Sequence, residues 1–306
     1  MPRLSLLFTV ALGALLTSSC DSSPSVPAGP TLTRVSAESV TVPPNTPVTV
    51  TVELRESGDP VAGAPIRFYV GANPGGAATY NTDAQGRASF STALTTAGTY
   101  TVTAQSGSSG PTQTFTIVVT HGPLFRIVFT PTALTLPAGS VAQYTLQTQD
   151  QAFNPVPNVT VQLSPTGGSV PASVTTDANG SVGVNWQLPT STSPSALDLN
   201  ATSGSVTGKT WVSLIAGPAT SLTVTPTTQT VGANASAFFQ AELRDQYGNR
   251  LVNQTPSCGS LAWSAPAPAV VTPQSGGRVR VNSPQSVTVT ATCGSLSATA
   301  QLVIAP

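Results

Sequence analysis

The sequence predicts an all-β protein of three tandem β-sandwich domains in an extended arrangement, and three observations carry that expectation. Apolar residues alternate with polar ones at period two, as in Val48-Val50-Val52-Leu54 and Val287-Val289-Ala291, the spacing of a strand with one buried face. After the first twenty residues no segment places apolar residues three and four apart over the length of a helix. Pro and Gly punctuate the chain about every eight to twelve residues, and about seven short strands per repeat suit a two-sheet sandwich.

The repeat is legible landmark by landmark. Gly-Pro opens each copy at Gly29, Gly122 and Gly217. A first strand then ends in a turn, in "SVTVPPNT", "ALTLPAGS" and "TQTVGANA". A second strand leads to a polar bend, in "ELRESGDPV", "QTQDQAFNPV" and "ELRDQYGNRL". An alternating strand with a Gly turn follows late in each copy, in "YTVTAQSG", "LDLNATSG" and "VTVTATCG", before closing strands "FTIVV", "WVSLI" and "AQLVI". The expected domains are 29–120, 121–216 and 217–306. Proline fixes one backbone angle and keeps the preceding residue out of helix, so the Gly-Pro joints are expected to be extended and only partly flexible.

The succession "DPVAGAPIRF", "TDAQGRASF" and "AGTYTVTA" resembles the bacterial Ig-like domains of the invasin/intimin type. The resemblance is good for the first copy, fair for the second and weaker for the third. It implies three tandem Ig-like β-sandwich domains that serve as spacers in a surface protein.

Composition narrows the function. The 306 residues carry 7% charged side chains and no formal net charge, against about 25% charged in ordinary soluble domains. With one lysine, Lys209, and no basic run, the chain lacks the footprint that a phosphate backbone requires, and no nucleic-acid partner is expected.

The opening "MPRLSLLFTVALGALLTSSC" has a positive start and an apolar run from Leu4 to Leu16, too short to span a bilayer and suited to a signal peptide over 1–19. Its end, "LLTSSC", resembles the lipobox of bacterial lipoproteins, although Thr17 stands where that family usually has Leu. The resemblance implies that Cys20 carries a lipid. Residues 20–28 are Ser/Pro-rich and read as a tether. The expected location is the cell envelope, at the outer membrane or cell surface, with the membrane as one partner through the lipid anchor and a protein or glycan as another.

Three cysteines fit one lipidated residue and one disulfide. Aligning the copies sets Cys293 at the end of the penultimate strand, matching Ser106 and Ser203, and Cys258 near the start of a middle strand, matching Phe68. In the Ig-like family those strands are antiparallel neighbours, so the resemblance implies a Cys258–Cys293 disulfide.

The core Thr-Asp-Ala-(Gln/Asn)-Gly occurs twice, around Asp83 and Asp177. A calcium site and an architectural turn are the two readings. Calcium takes about six to eight oxygens, usually from several carboxylates, and only one is local. The third copy has "TPQSGGRV" at the corresponding place, without an acid, so the turn is the preferred reading and Asp83 and Asp177 remain weak metal candidates.

Catalytic chemistry is not apparent. The one histidine, His121, lies in a joint, which leaves no Ser-His-Asp arrangement and no histidine-rich zinc site. No cofactor is expected, and the chain is read as no enzyme. A degraded hydrolase is the rival, and it would need two convergent acids. Among the tryptophans, Trp186 continues the face of Val182 and Val184 and is expected in the core, while Trp263 is expected near the disulfide. Trp211 has the opposite parity to Val206, Val212 and Leu214, which turns it outward with Lys209 and Ser213. The expected function is therefore a lipid-anchored structural or adhesive stalk, with a carbohydrate- or matrix-binding module using Trp211 as the alternative.

Overall fold

The computed structural model describes residues 29–72, 74–252 and 257–305. The expected signal peptide, the tether and Cys20 lie outside them. The chain divides into two compact units: the first runs through Val40 and takes in 47–92 and 99–117, and the second takes in 41–46, 93–98 and all residues from 118.

The first unit is built on one sandwich. One sheet joins Thr31–Arg34, Pro47–Glu56, Asp59–Pro60 and Arg87–Ala93, and the other joins Ser39–Val42, Thr112–Val119, Gly98–Ser106, Pro65–Val70 and Ala78–Asn81. Alternation does what it promised: Val48, Val50, Val52 and Leu54 are buried while their neighbours are not. Ile66, Phe68, Val102, Phe115 and Ile117 are buried as well, each contributing about 1.5–3 kcal/mol by leaving water. Phe68 stacks on Phe90 with ring centroids 5.5 Å apart.

The second unit holds two sandwiches. The first of them has a sheet of Arg126–Thr130, Val141–Gln149 and Ser181–Gln187, faced by a sheet of Ala133–Pro137, Val206–Ile215, Ala196–Ser203, Thr160–Pro165 and Ser173–Thr175. Trp186 is buried there, as expected, and its indole N–H donates to the Gly167 carbonyl at 2.9 Å. The last sandwich pairs Ser221–Thr225, Ser236–Arg244, Arg278–Asn282 and Val270–Pro273 in one sheet, and Thr228–Val231, Leu296–Ile304, Val287–Cys293 and Ala262–Ser264 in the other.

Strand number exceeds the expected seven: among the described residues the three sandwiches have nine, eight and eight. The chain changes sheet near the start of each copy. Arg126–Thr130 pairs antiparallel with Val141–Gln149, whereas Ala133–Pro137 runs parallel to the closing strand Val206–Ile215. The third copy repeats this with Ser221–Thr225 and Thr228–Val231. Both pieces are short and similarly patterned, so in sequence they read as one strand and its turn.

Cys258 and Cys293 are joined by a disulfide. The match of Cys258 to Phe68 does not hold. Trp263 takes that place, opposite Ala291 as Phe68 is opposite Ala104. Cys258 lies in a turn ahead of the short strand Ala262–Ser264, so the bridge ties a loop to a strand end. Trp263 and Cys258 both pack against the core cluster that includes Cys293.

Candidate functional site

The polar bends "DQAFN" (150–154) and "DQYGN" (245–249) are the most elaborate polar constructions in the second unit. Each begins with an aspartate whose Oδ1 accepts two backbone amides from its own bend: Ala152 and Asn154 at 2.8 Å each, and Tyr247 and Asn249 at 2.9 Å each. This is how a short acidic side chain pins a turn to itself. The second oxygen reaches further along the chain. Gly122 N–H donates to Asp150 Oδ2 at 2.7 Å, and Gly217 N–H donates to Asp245 Oδ2 at 2.8 Å. The asparagine amide of each bend donates to the same Oδ2, at 3.0 Å from Asn154 and 2.9 Å from Asn249.

The asparagines complete the construction. Asn249 Nδ2 donates to the Thr190 carbonyl at 2.8 Å, and its Oδ1 accepts the Thr192 amide at 3.1 Å. Asn154 does the same to Thr95 at 2.9 Å and Ala97 at 2.8 Å, residues that belong to the second unit. Every member is displaced by ninety-five residues from its counterpart. Asp245 and Asn249 thus fasten the second sandwich, the link at Gly217 and the third sandwich to one carboxylate and one amide.

Both aspartates are 2–3% exposed and no ion pair among the described residues includes either. Burial pushes each carboxyl up, but the donors outweigh it and hold both below the ordinary carboxylate value. For Asp150 these are Gly122, the side chain and amide of Asn154, and Ala152; for Asp245 they are the Asn249 side chain, Gly217, the Asn249 amide and Tyr247. A buried charge surrounded by fixed donors with no unfilled partner is a positioning element.

The two copies differ in filling. At Gly139, with φ +80°, an added Cβ would lie 2.6 Å from the Tyr247 ring. Where Tyr247 stands in the third copy the second copy has Ala152, and there a cavity of about 240 Å³ is lined by Asn45, Gly122, Pro123, Phe125 and Ala152 among others. In the first copy the bend is the tight hairpin Glu56-Ser57-Gly58-Asp59.

The Asp83 and Asp177 turns have a different build. Asp83 Oδ1 accepts the amides of Gln85 and Arg87, and Asp177 Oδ1 those of Asn179 and Ser181. The Ser181 and Asn179 amides hold the Asp177 carboxyl below its usual range. The preceding threonines are buried: Thr82 Oγ1 accepts the Ala64 amide, and Thr176 Oγ1 that of Val159. An added Cβ at Gly86 or Gly180 would meet the carbonyl of Leu54 at 2.5 Å or of Thr148 at 2.9 Å. Gln274 bonds Arg278 through the backbone in the third copy as Asp83 bonds Arg87. Among the described residues no three His, Cys, Asp or Glu side chains cluster to hold a metal ion.

Trp211 is 45% exposed on Val206–Ile215, with Ala133 on one side and Asp198 on the other. Lys209 pairs with Asp198 at 2.9 Å beside it. Tyr144 O–H donates to the Trp211 carbonyl at 3.0 Å, and burial raises the Tyr144 hydroxyl above its usual range. His121 is exposed, with Nδ1 2.8 Å from the Gly122 carbonyl. Sequence reasoning brought out Trp211 and the Asp turns but missed Asp150, Asn154, Asp245 and Asn249. The signal was present as the shared D-Q-x-x-N spacing.

Among the described residues no helix is long and apolar enough to cross a membrane. No family model matches the chain, and no curated protein matches it. Solved structures do. The structure of invasin, a bacterial integrin-binding protein, matches with a TM-score of 0.52 at 19% identity, over 91% of this chain and 60% of invasin's. That of FdeC, an Escherichia coli adhesin, matches with a TM-score of 0.46 at 17% identity, over 90% of this chain and 97% of the other. The chain thus spans about three fifths of the invasin chain it matches. Its fold is that of invasin-type bacterial Ig-like domains in tandem.

Proposed function

We propose that this chain is a non-enzymatic cell-surface protein, a structural or adhesive stalk of three Ig-like domains at 29–120, 121–216 and 217–306, secreted and anchored through a lipid on Cys20. The observation that carries the reading is the repeated Asp-Asn fastening. Among the described residues the two buried carboxylates, Asp150 and Asp245, are spent on fixing bends and Gly-Pro links of the second unit, an arrangement specialised for holding geometry. The fold shared with invasin supports a surface role. The partner is a protein or a glycan outside the cell.

Two measurements test this. Protease treatment of intact cells should remove the chain from the surface, and a chain protected until the cells are lysed would refute the location. Mass spectrometry of the mature N-terminus should find a diacylglyceryl cysteine at residue 20, and a mature chain beginning elsewhere would refute the anchor.

The exposure of Trp211 favours a second reading, in which its indole stacks on a sugar ring of a surface glycan. Trp211→Ala should then abolish signal on a glycan array while leaving the melting temperature unchanged. Equal signal from both proteins would remove this reading and leave the stalk intact.

A further inference from the structure

The tip of the second copy's bend breaks the repeat. Phe153 has φ +68°, a left-handed conformation that bulky side chains rarely adopt. The third copy has Gly248 there, at φ +83°, and the first has Gly58, at φ +93°. The phenylalanine is strained and also out in solvent, 63% exposed. Strain of this kind persists where the surroundings enforce it and marks functional positions. Here Asp150 enforces it, by holding the amides of Ala152 and Asn154 on either side.

A cation belongs to the same tip. The Arg126 guanidinium lies 3.7 Å from the centroid of the Phe153 ring, and its Nε donates to Gln149 Oε1 at 2.8 Å. Its chain neighbour Phe125 is 58% exposed. The strand registers set Phe125 and Arg126 against Thr220 and Ser221 of the third copy and Pro30 and Thr31 of the first, so two aromatics and the arginine are found together in the second copy alone.

The second copy has no carboxylate at the position where the other copies carry a glutamate. In the first copy Arg55 pairs with Glu53, and in the third Arg244 pairs with Glu242. The same register places Gln149 at the arginine position and Gln147 at the glutamate position of the second copy. Among the described residues no ion pair includes Arg126. A half-buried arginine without a carboxylate partner, beside exposed aromatic rings, is the composition of an interface centre.

We infer that Phe125, Arg126 and Phe153 form a docking surface for a protein partner, which presents an aspartate or glutamate to the Arg126 guanidinium and an apolar or aromatic side chain to the rings. The surface is independent of Trp211 and of the lipid anchor, so it stands or falls apart from the stalk reading.

The test uses a phage-displayed random twelve-residue peptide library panned on the mature chain. Wild type should enrich clones in which an acidic residue lies within two positions of an aromatic or large aliphatic one. Those clones should be retained at least tenfold less on Phe153→Gly and on Arg126→Glu, and Arg126→Glu panned afresh should select basic residues instead. Phe153→Gly restores the residue found in the other two copies, so its melting temperature should equal or exceed that of wild type. Absence of enrichment, clones retained equally by Phe153→Gly, or a lower melting temperature for that variant would each overturn the inference. So would glycan or anionic-vesicle binding that depends on Phe153.

Discussion

The Asp245 carboxylate accepts the Gly217 amide at 2.8 Å, and ninety-five residues earlier Asp150 accepts the Gly122 amide at 2.7 Å. In each case an aspartate in a bend holds the glycine of the preceding Gly-Pro link, and an asparagine four residues on holds that aspartate. The contact has the same partners in the second and third copies, while the first copy has the tight hairpin in its place.

Asn249→Ala should destabilise the second unit. It removes donors from the Thr190 carbonyl and from Asp245 Oδ2 and an acceptor from the Thr192 amide. Leaving such groups unpaired costs about 1–3 kcal/mol. Urea denaturation followed by tryptophan fluorescence measures this, and a midpoint equal to wild type would show that water replaces the amide without loss.

Acid should loosen the joint. The Asp245 carboxyl is held below its ordinary value, so its contribution is fully present above the unfolded value of about 3.9 and is lost as pH falls through the lower folded value. Asp245→Asn should therefore melt below wild type at pH 7, and the gap should close as the pH drops under the ordinary carboxylate range. A gap that stays constant down to pH 2 would assign the loss to packing.

The Asp turns should be indifferent to metal. Adding calcium or a chelator should leave the melting temperature unchanged, whereas Asp177→Ala should lower it modestly through two lost amide bonds to an exposed turn. A large upward shift in melting with calcium would revive a metal role.

Reduction should weaken the third sandwich. Cys258 and Cys293 close an interval of thirty-five residues, for which the chain-entropy model gives about 4 kcal/mol. Native secreted protein should resist alkylation at both positions, and labelling of both without denaturant would contradict the bridge.

Much of the fold was legible because period-two alternation and turn residues are local signals. Val48, Val50, Val52 and Leu54 could be assigned to one buried face from spacing alone, and so could the outward turn of Trp211. The sheet change between Arg126–Thr130 and Ala133–Pro137 was not legible, since pairing partners lie far along the chain. The same reason hid the fastenings. Asp150 and Asp245 look like ordinary turn acids, and only three dimensions show that one oxygen of each is turned toward a link twenty-eight residues back. Cys258 was matched to Phe68 because Asn249 stands fourteen residues before Trp263 but Asp59 only nine before Phe68, and the five extra residues shift the count.

The central claim is that the Asp245–Asn249 fastening fixes the second sandwich against the third, and an electron-electron distance measurement tests it inside the second unit. Spin labels at the exposed positions Gln162→Cys and Thr299→Cys report on the second and third sandwiches. The native disulfide is kept oxidised throughout. The account predicts one narrow distance distribution, broadened at least twofold when Asp245→Ala and Asn249→Ala are added. A broad distribution in the otherwise native chain, or a narrow one that the two substitutions leave unchanged, would contradict it.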